Sequence, residues 1–161
     1  MAMKMSTAGI EELGAMLAKL GNKADEVASR SLYEGAGIVA NAFKTATSSI
    51  STSPFKYAAP GKTRLPSPDE KAALIGKSGI ANFRQSGDDV NTIVGISGAA
   101  GYANVAGKAK AVRLIARSIN SGTSFMKKQP VYRKAASGSK SAATSAIVSK
   151  AEEMFKEIIG G

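Results

Sequence analysis

The stretch Val112–Ala136, VRLIARSINSGTSFMKKQPVYRKAA, decides how the rest of the chain is read. Its first part reads as a strand from Val112 to Asn120. Ile115, Arg117 and Ile119 then point one way, and Leu114, Ala116 and Ser118 the other. Gly122 can supply a positive φ where that strand ends. Pro130 suits the first turn of a helix, where its missing N–H costs nothing. Between them lies a loop with Phe125 and Met126 beside Lys127 and Lys128. A loop that is both apolar and basic reads as a contact surface.

C-terminal to this stretch, a helix is expected from Pro130 to about Ile159. Val131, Ala135, Gly138, Ala142, Ala146, Phe155 and Ile158 recur at helical spacing, and Ser137-Gly138-Ser139 is the weak point. On the N-terminal side, Gly98 to Lys110 reads as a Gly/Ala-rich loop over the sheet. Ile80–Gln85 and Val90–Ser97 read as a hairpin around Ser86-Gly87-Asp88-Asp89. A short helix is expected from Pro68 to Ile75, capped by Ser67, with Asp69 and Glu70 in its first turn.

Residues 48–68 hold four prolines and read as a long loop or arm carrying Phe55 and Tyr57. Ile10, Leu13, Leu17 and Leu20 mark a first helix that Gly21-Asn22 would end. A second runs from Ala24 to Ser48, where Gly35 and Gly37 signal close packing against a strand or a neighbouring subunit. The fold class implied is α+β. An N-terminal helical hairpin or bent helix and a long C-terminal helix pack on a small, mostly antiparallel sheet, all in one domain of 161 residues.

Composition narrows the function. Aromatic residues make up only 6% and Trp is absent, so the core must be built from Ala, Val, Ile, Leu and Met. Such a core buries little area per residue and suits a subunit that finishes itself against neighbours. There is no Cys, which excludes disulfides and thiol chemistry, and no His, the commonest general base. Gly61-Lys62-Thr63 lacks the glycine five residues earlier that a phosphate-binding loop needs, because Lys56 stands there. Asp88-Asp89 and Glu152-Glu153 have no partners at the spacing of a carboxylate catalyst or a hard-metal loop. An enzyme is not expected, and no cofactor is implied. No apolar run approaches the roughly 18 residues of a membrane span, and Lys4 has no apolar stretch behind it, so neither a membrane segment nor a signal peptide is expected.

Charge is the stronger signal. The formal net charge is +10, and between Val90 and Ala151 there are ten basic residues and no acidic ones. One-sided charge of this kind favours a polyanion or an acidic protein surface as neighbour. No base-reading motif accompanies it, so any DNA contact would be to phosphates and sensitive to salt.

The run GTSFMKKQPVYRKA resembles the signature of a family of small neck proteins of long-tailed phages, the tail-completion or head–tail joining proteins. Gly122, Thr123, Gln129, Pro130, Tyr132, Arg133 and Ala135 match it. Asn120 stands where the family often has an acidic residue, and Lys134 where it often has a second proline. The order of helical N-terminus, central extended segments and final helix also matches. The likeness covers most of the chain and is weakest from Ser48 to Lys77.

The resemblance implies a structural virion protein at the head–tail interface. It would act as a homo-oligomeric, sixfold ring stacked on other neck, head-connector or tail-tube proteins around the DNA channel, and be assembled in the host cytoplasm. On this reading Gly122, Thr123, Phe125, Met126, Pro130, Tyr132, Phe55 and Tyr57 serve subunit or ring contacts. Arg113, Arg117, Lys127, Lys128, Lys108 and Lys110 face DNA or an acidic ring. A tail-terminator ring is the nearest alternative. A non-specific DNA-binding protein is the alternative of a different class, supported by the charge and opposed by the scarcity of base-stacking aromatics.

Overall fold

The computed structural model describes residues 8–54, 59–82, 84–86, 89–103 and 109–160. In chain order the elements are α1 (Ala8–Ser48), α2 (Pro68–Gly76), β1 (Ser78–Ile80), β2 (Arg84–Ser86), β3 (Asp89–Asn91), β4 (Val94–Ile96), β5 (Ala99–Ala103), β6 (Ala109–Ala111), α3 (Val112–Ser121) and α4 (Val131–Gly160). The class is α+β: long helices with three small antiparallel ladders between them.

The two long helices run antiparallel. Thr47 near the end of α1 meets Tyr132 at the start of α4, with their hydroxyls 3.0 Å apart. Halfway along, Gly35 faces Ala143 and Ile147. Val27 and Ser31 of α1, and Ser139, Ala143 and Met154 of α4, are buried along the pair, and Ala36 and Ala40 of α1 are also buried. A Cβ on Gly35 would fall 2.5 Å from Ile147 Cγ1 and 2.9 Å from the Ala143 carbonyl oxygen, so glycine there sets how closely the helices approach. Its neighbour is therefore α4, not a strand or a second subunit. A Cβ on Gly37 meets nothing within 4 Å.

Several expectations are corrected. The N-terminal region is one helix of 41 residues, not two. Gly21-Asn22 does not end it, because packing on α4 outweighs the roughly 1 kcal/mol that an interior glycine costs. Val112–Asn120 is not a strand but lies within α3. Val112, Ile115 and Ile119, spaced i, i+3, i+7, are buried, while Arg113, Leu114 and Arg117 face outward. Burial of that stripe overrides the strand preference of its β-branched residues. The Val112 N–H donates to the Gly98 carbonyl at 3.0 Å, which satisfies a free donor at the helix start.

Ala99–Ala103 and Ala109–Ala111 pair as strands where a loop was expected. The expected hairpin exists, split into β2–β3 and β1–β4. The split falls where the Thr92 hydroxyl donates to the Ala81 carbonyl at 2.7 Å. In α4 the packed stripe is Tyr132, Ser139, Ala143 and Met154, about one position away from the one the spacing suggested. Ser137-Gly138-Ser139 does not break the helix, and both serine hydroxyls donate to carbonyls four residues back.

The main core lies at one end of the helix pair. Ile50, Leu74, Val112, Ile115, Ile119, Met126 and Tyr132 meet there. The described part of segment 48–68 is fastened to this core. Ser53 N–H donates to the Pro66 carbonyl at 3.0 Å, and the Gln129 amide both accepts from Ser51 N–H and donates to the Ser51 carbonyl.

The short helix α2 forms as its sequence dictates. The Ser67 hydroxyl accepts from Glu70 N–H while the Glu70 carboxylate accepts from Ser67 N–H, a reciprocal cap. The same carboxylate takes a two-pronged bond from Arg64, at 2.7 and 2.8 Å. Both side chains are buried, at 11% and 5% exposure.

Two contrasts test this account. Gly37→Ala should stabilise the chain by about 1 kcal/mol, whereas Gly35→Ala should destabilise it by roughly 1–3 kcal/mol through overpacking, both read by urea unfolding. Arg64→Ala leaves a buried carboxylate without its guanidinium and should cost about 3–5 kcal/mol in the same assay.

Candidate functional site

The loop from Gly122 to Pro130 is a fixed structure. Gly122 has φ 76°, the left-handed region its sequence position predicts, and its N–H donates to the Ser118 carbonyl at 2.9 Å. The Thr123 hydroxyl accepts from Met126 N–H at 3.0 Å, and Thr123 N–H donates to the Met126 carbonyl. Arg64 pairs with the loop as a one-residue parallel bridge. Its N–H donates to the Phe125 carbonyl and its carbonyl accepts from Lys127 N–H, both at 2.8 Å. Gln129 N–H donates to the Ile119 carbonyl at 2.7 Å. The loop is therefore held at both ends and in the middle.

This geometry sorts the contact residues expected from the sequence. Met126 is 1% exposed and Tyr132 is buried, so both build the chain's own core and neither is offered to a neighbour. Gly122 and Thr123 shape the turn, and Pro130 is half-buried at the entry to α4. Of the loop's two apolar side chains, only Phe125, 49% exposed, points outward, and Lys127 and Lys128 are exposed near it in sequence. Phe55, Tyr57 and Lys108 lie outside the described residues, as does the side chain of Lys110.

Arg113 and Arg117 do share a face, as expected, but through the i, i+4 spacing of a helix. With Asn120 they rim a shallow groove of about 230 Å³ whose wall includes Phe43, Ile96 and Tyr132. The Phe43 and Tyr132 rings meet with centroids 5.5 Å apart. Arg133 joins this edge, where its N–H donates to the Asn120 side-chain oxygen at 3.4 Å. Two guanidinium groups beside an aromatic wall suit an anion attached to an apolar or planar body.

The chain has no His or Cys, and among the described residues no three acidic side chains cluster in the manner of a metal site. Among the described residues no helix is long and apolar enough to cross a membrane.

Two features went unread in the sequence. Leu114, 53% exposed, is an apolar side chain at the edge of the outward face that carries Arg113 and Arg117. The 3–4 spacing of Val112, Ile115 and Ile119 would have revealed it. The second is an apolar groove between the far ends of α1 and α4, lined by Leu20, Ala24, Ala28, Leu32, Ile147 and Phe155. Its signal is the apolar Ile147-x3-Ala151-x3-Phe155 series on α4.

Comparison with protein-family models, with curated proteins and with solved structures finds no match to this chain.

Burial pushes the Tyr132 phenol above its ordinary pKa of 10.0, and the bond with Thr47 offsets part of that shift. The folded chain therefore holds this proton more tightly than the unfolded chain does. The stabilisation is complete below pH 10 and is lost as pH rises through the folded-state value. A phenolate absorbance titration should show one late-ionising tyrosine that disappears in Tyr132→Phe. That variant should also lose about 1 kcal/mol with the Thr47 bond.

Proposed function

We propose that this chain is a structural subunit of a phage neck, joining or completing the tail at the head–tail interface as one copy of a ring around the DNA channel. The observation that carries the proposal is apolar side chains left in solvent beside a basic surface: Leu114 and Phe125 stand about half exposed next to the exposed Arg113, Arg117, Lys127 and Lys128. A subunit with apolar groups turned outward is suited to being completed by neighbours. The likeness of the Gly122–Ala135 segment to neck proteins supplies the class of assembly.

The basic surface fits the same role. Arg113, Arg117, Lys127, Lys128, Arg133, Lys134 and Lys140 are all exposed, with no acidic residue in that interval. A channel that DNA passes through needs non-specific phosphate attraction and no base reading. Arg113, Arg117, Lys127 and Lys128 face DNA or an acidic neighbouring surface on this reading.

The same basic surface favours one second reading, a non-specific DNA-binding protein. Affinity separates the two. A DNA binder would hold duplex DNA well below roughly 10⁻⁶ M at about 150 mM salt, whereas a neck subunit would bind weakly there.

The deciding experiment is electron microscopy of particles assembled without this protein. Full heads and complete tails that fail to join are the expected result. Tails of abnormal length would point to a terminator ring instead, and normal infectious particles would remove the neck reading. A Lys127→Glu/Lys128→Glu double variant should reduce head–tail joining.

A further inference from the structure

Arg113, Ala116, Arg117 and Asn120 are spaced i, i+3, i+4, i+7 and so share one face of α3. That face lines the shallow groove of about 230 Å³, whose remaining lining comes from Phe43 of α1, Ile96 of β4 and Tyr132 of α4. Ala116 and Asn120 are half-buried, as are Phe43 and Ile96, while the two arginines are exposed. The groove is therefore largely apolar in its floor and doubly cationic along one edge.

The fold does not match those two cations. The lining residues come from the stretches 35–68 and 90–151, and neither stretch contains an Asp or a Glu. Among the described residues the ion pairs lie elsewhere, at Arg30–Glu26, Arg64–Glu70 and Lys150–Glu153. Like charges at i, i+4 repel one another. Arg113 also stands in the first turn of α3, at the positive end of the helix dipole, and no acidic residue in that turn offsets it. Both arrangements are unfavourable in the chain alone, and an anion laid across the two guanidinium groups would relieve both.

The floor decides what carries the anion. A DNA backbone would satisfy the arginines but bring no apolar group to cover Phe43 and Ile96. Nor is Tyr132 a platform for a base. It is buried, its ring packs against Phe43 and its hydroxyl is engaged by Thr47. A protein segment with carboxylates near an aromatic or aliphatic side chain supplies both halves. Its carboxylates can take the planar guanidinium forks in two-pronged bonds, and its apolar side chain can displace water from the floor.

We infer that this groove is a docking site for an acidic segment of a neighbouring protein, its carboxylates on Arg113 and Arg117 and its apolar side chain against Phe43, Ile96 and Ala116. The inference deepens the neck reading and rests on it for where that neighbour sits. It assigns Arg113 and Arg117 to a protein and leaves Lys127 and Lys128 for DNA.

The test is a peptide titration of the isotope-labelled full chain, read by two-dimensional NMR. The probes are acetylated and amidated heptapeptides of Gly and Ser that carry two Glu and one Phe in each possible order. At least one should shift the amide signals of Ile96 and of Arg113–Asn120. It should bind at least about tenfold more tightly than the same peptide with Gln in place of Glu, or with Gly in place of Phe. Arg113→Gln/Arg117→Gln should weaken it by a similar factor. Both positions are exposed and Gln is a comparable helix former, so circular dichroism should not change.

A panel in which no peptide shows that preference overturns the proposal. So do peptides that bind as well without Phe, which would reduce the groove to a simple anion patch. A DNA duplex that shifts the same amides and binds more tightly at about 150 mM salt would give the site to DNA instead. Self-association of the wild type that the double arginine variant abolishes would give it to a second copy. Heads and tails that stay separate without the protein, alongside a panel that fails, would remove this docking site and leave the neck reading standing. Normal particles alongside a panel that succeeds would do the reverse.

Discussion

One carboxylate, that of Glu70, ties the separate parts of this chain together. It closes the cap of α2 by accepting from Ser67 N–H, and it receives both prongs of the Arg64 guanidinium. Arg64 in turn bonds the α3–α4 loop through its own backbone, on either side of Met126. That is what drives Met126 into the core. The next residue, Lys71, donates to the carbonyls of Ser48 and Ile50 at 2.7 and 3.0 Å, and so fixes the exit from α1. A buried ion pair repays its desolvation only when its remaining lone pairs are also used. Here the Ser67 N–H and the Leu65 carbonyl, a guanidinium acceptor at 3.0 Å, use them. The first turn of α2 thus orients α1, the 59–67 segment and the loop into α4 at once.

This arrangement shows which parts of the fold were legible. The Ser67–Glu70 cap depends on four adjacent residues, so sequence sufficed. The left-handed turn at Gly122 and the span of α4 were readable for the same local reason. Val112–Ser121 was not. Its ten residues fit alternation through Ile115, Arg117 and Ile119, and they equally fit a 3–4 repeat through Val112, Ile115 and Ile119. Only non-local facts choose: those three side chains are buried together with Leu74, and the Gly98 carbonyl waits at the helix start. In α4 the buried stripe was misplaced because Ala, Ser and Gly occur on every side of the helix, which flattens the periodic signal.

The site was legible in kind more than in geometry. A count of charges found the basic half of the chain, but which bases share a face depends on whether Arg113 and Arg117 sit on a helix or a strand. The loop chemistry singled out Phe125 and Met126 equally. The Arg64 bridge separates them, one exposed and one in the core, and nothing within the loop itself specifies that division. Arg64 is 62 positions away in sequence from Met126, beyond any local pattern.

The long helix pair carries the same logic to the largest contact in the fold. Gly35 meets Ala143 in the middle of its seam, and small side chains there allow a close approach. Close packing gains dispersion contacts, but small side chains remove little apolar area from water. The bulkier groups of the same helices are displaced to the flanks: Leu32, Ile147, Val148 and Phe155 stand half-buried or exposed. A chain stabilised by its pair of helices alone would place these residues in the seam and the alanines outside. Placing them the other way leaves the larger share of burial to be gained from whatever covers the flank. The close approach of the helices and the exposure of the bulkier flank are then linked by one sequence choice, the small residue at position 35.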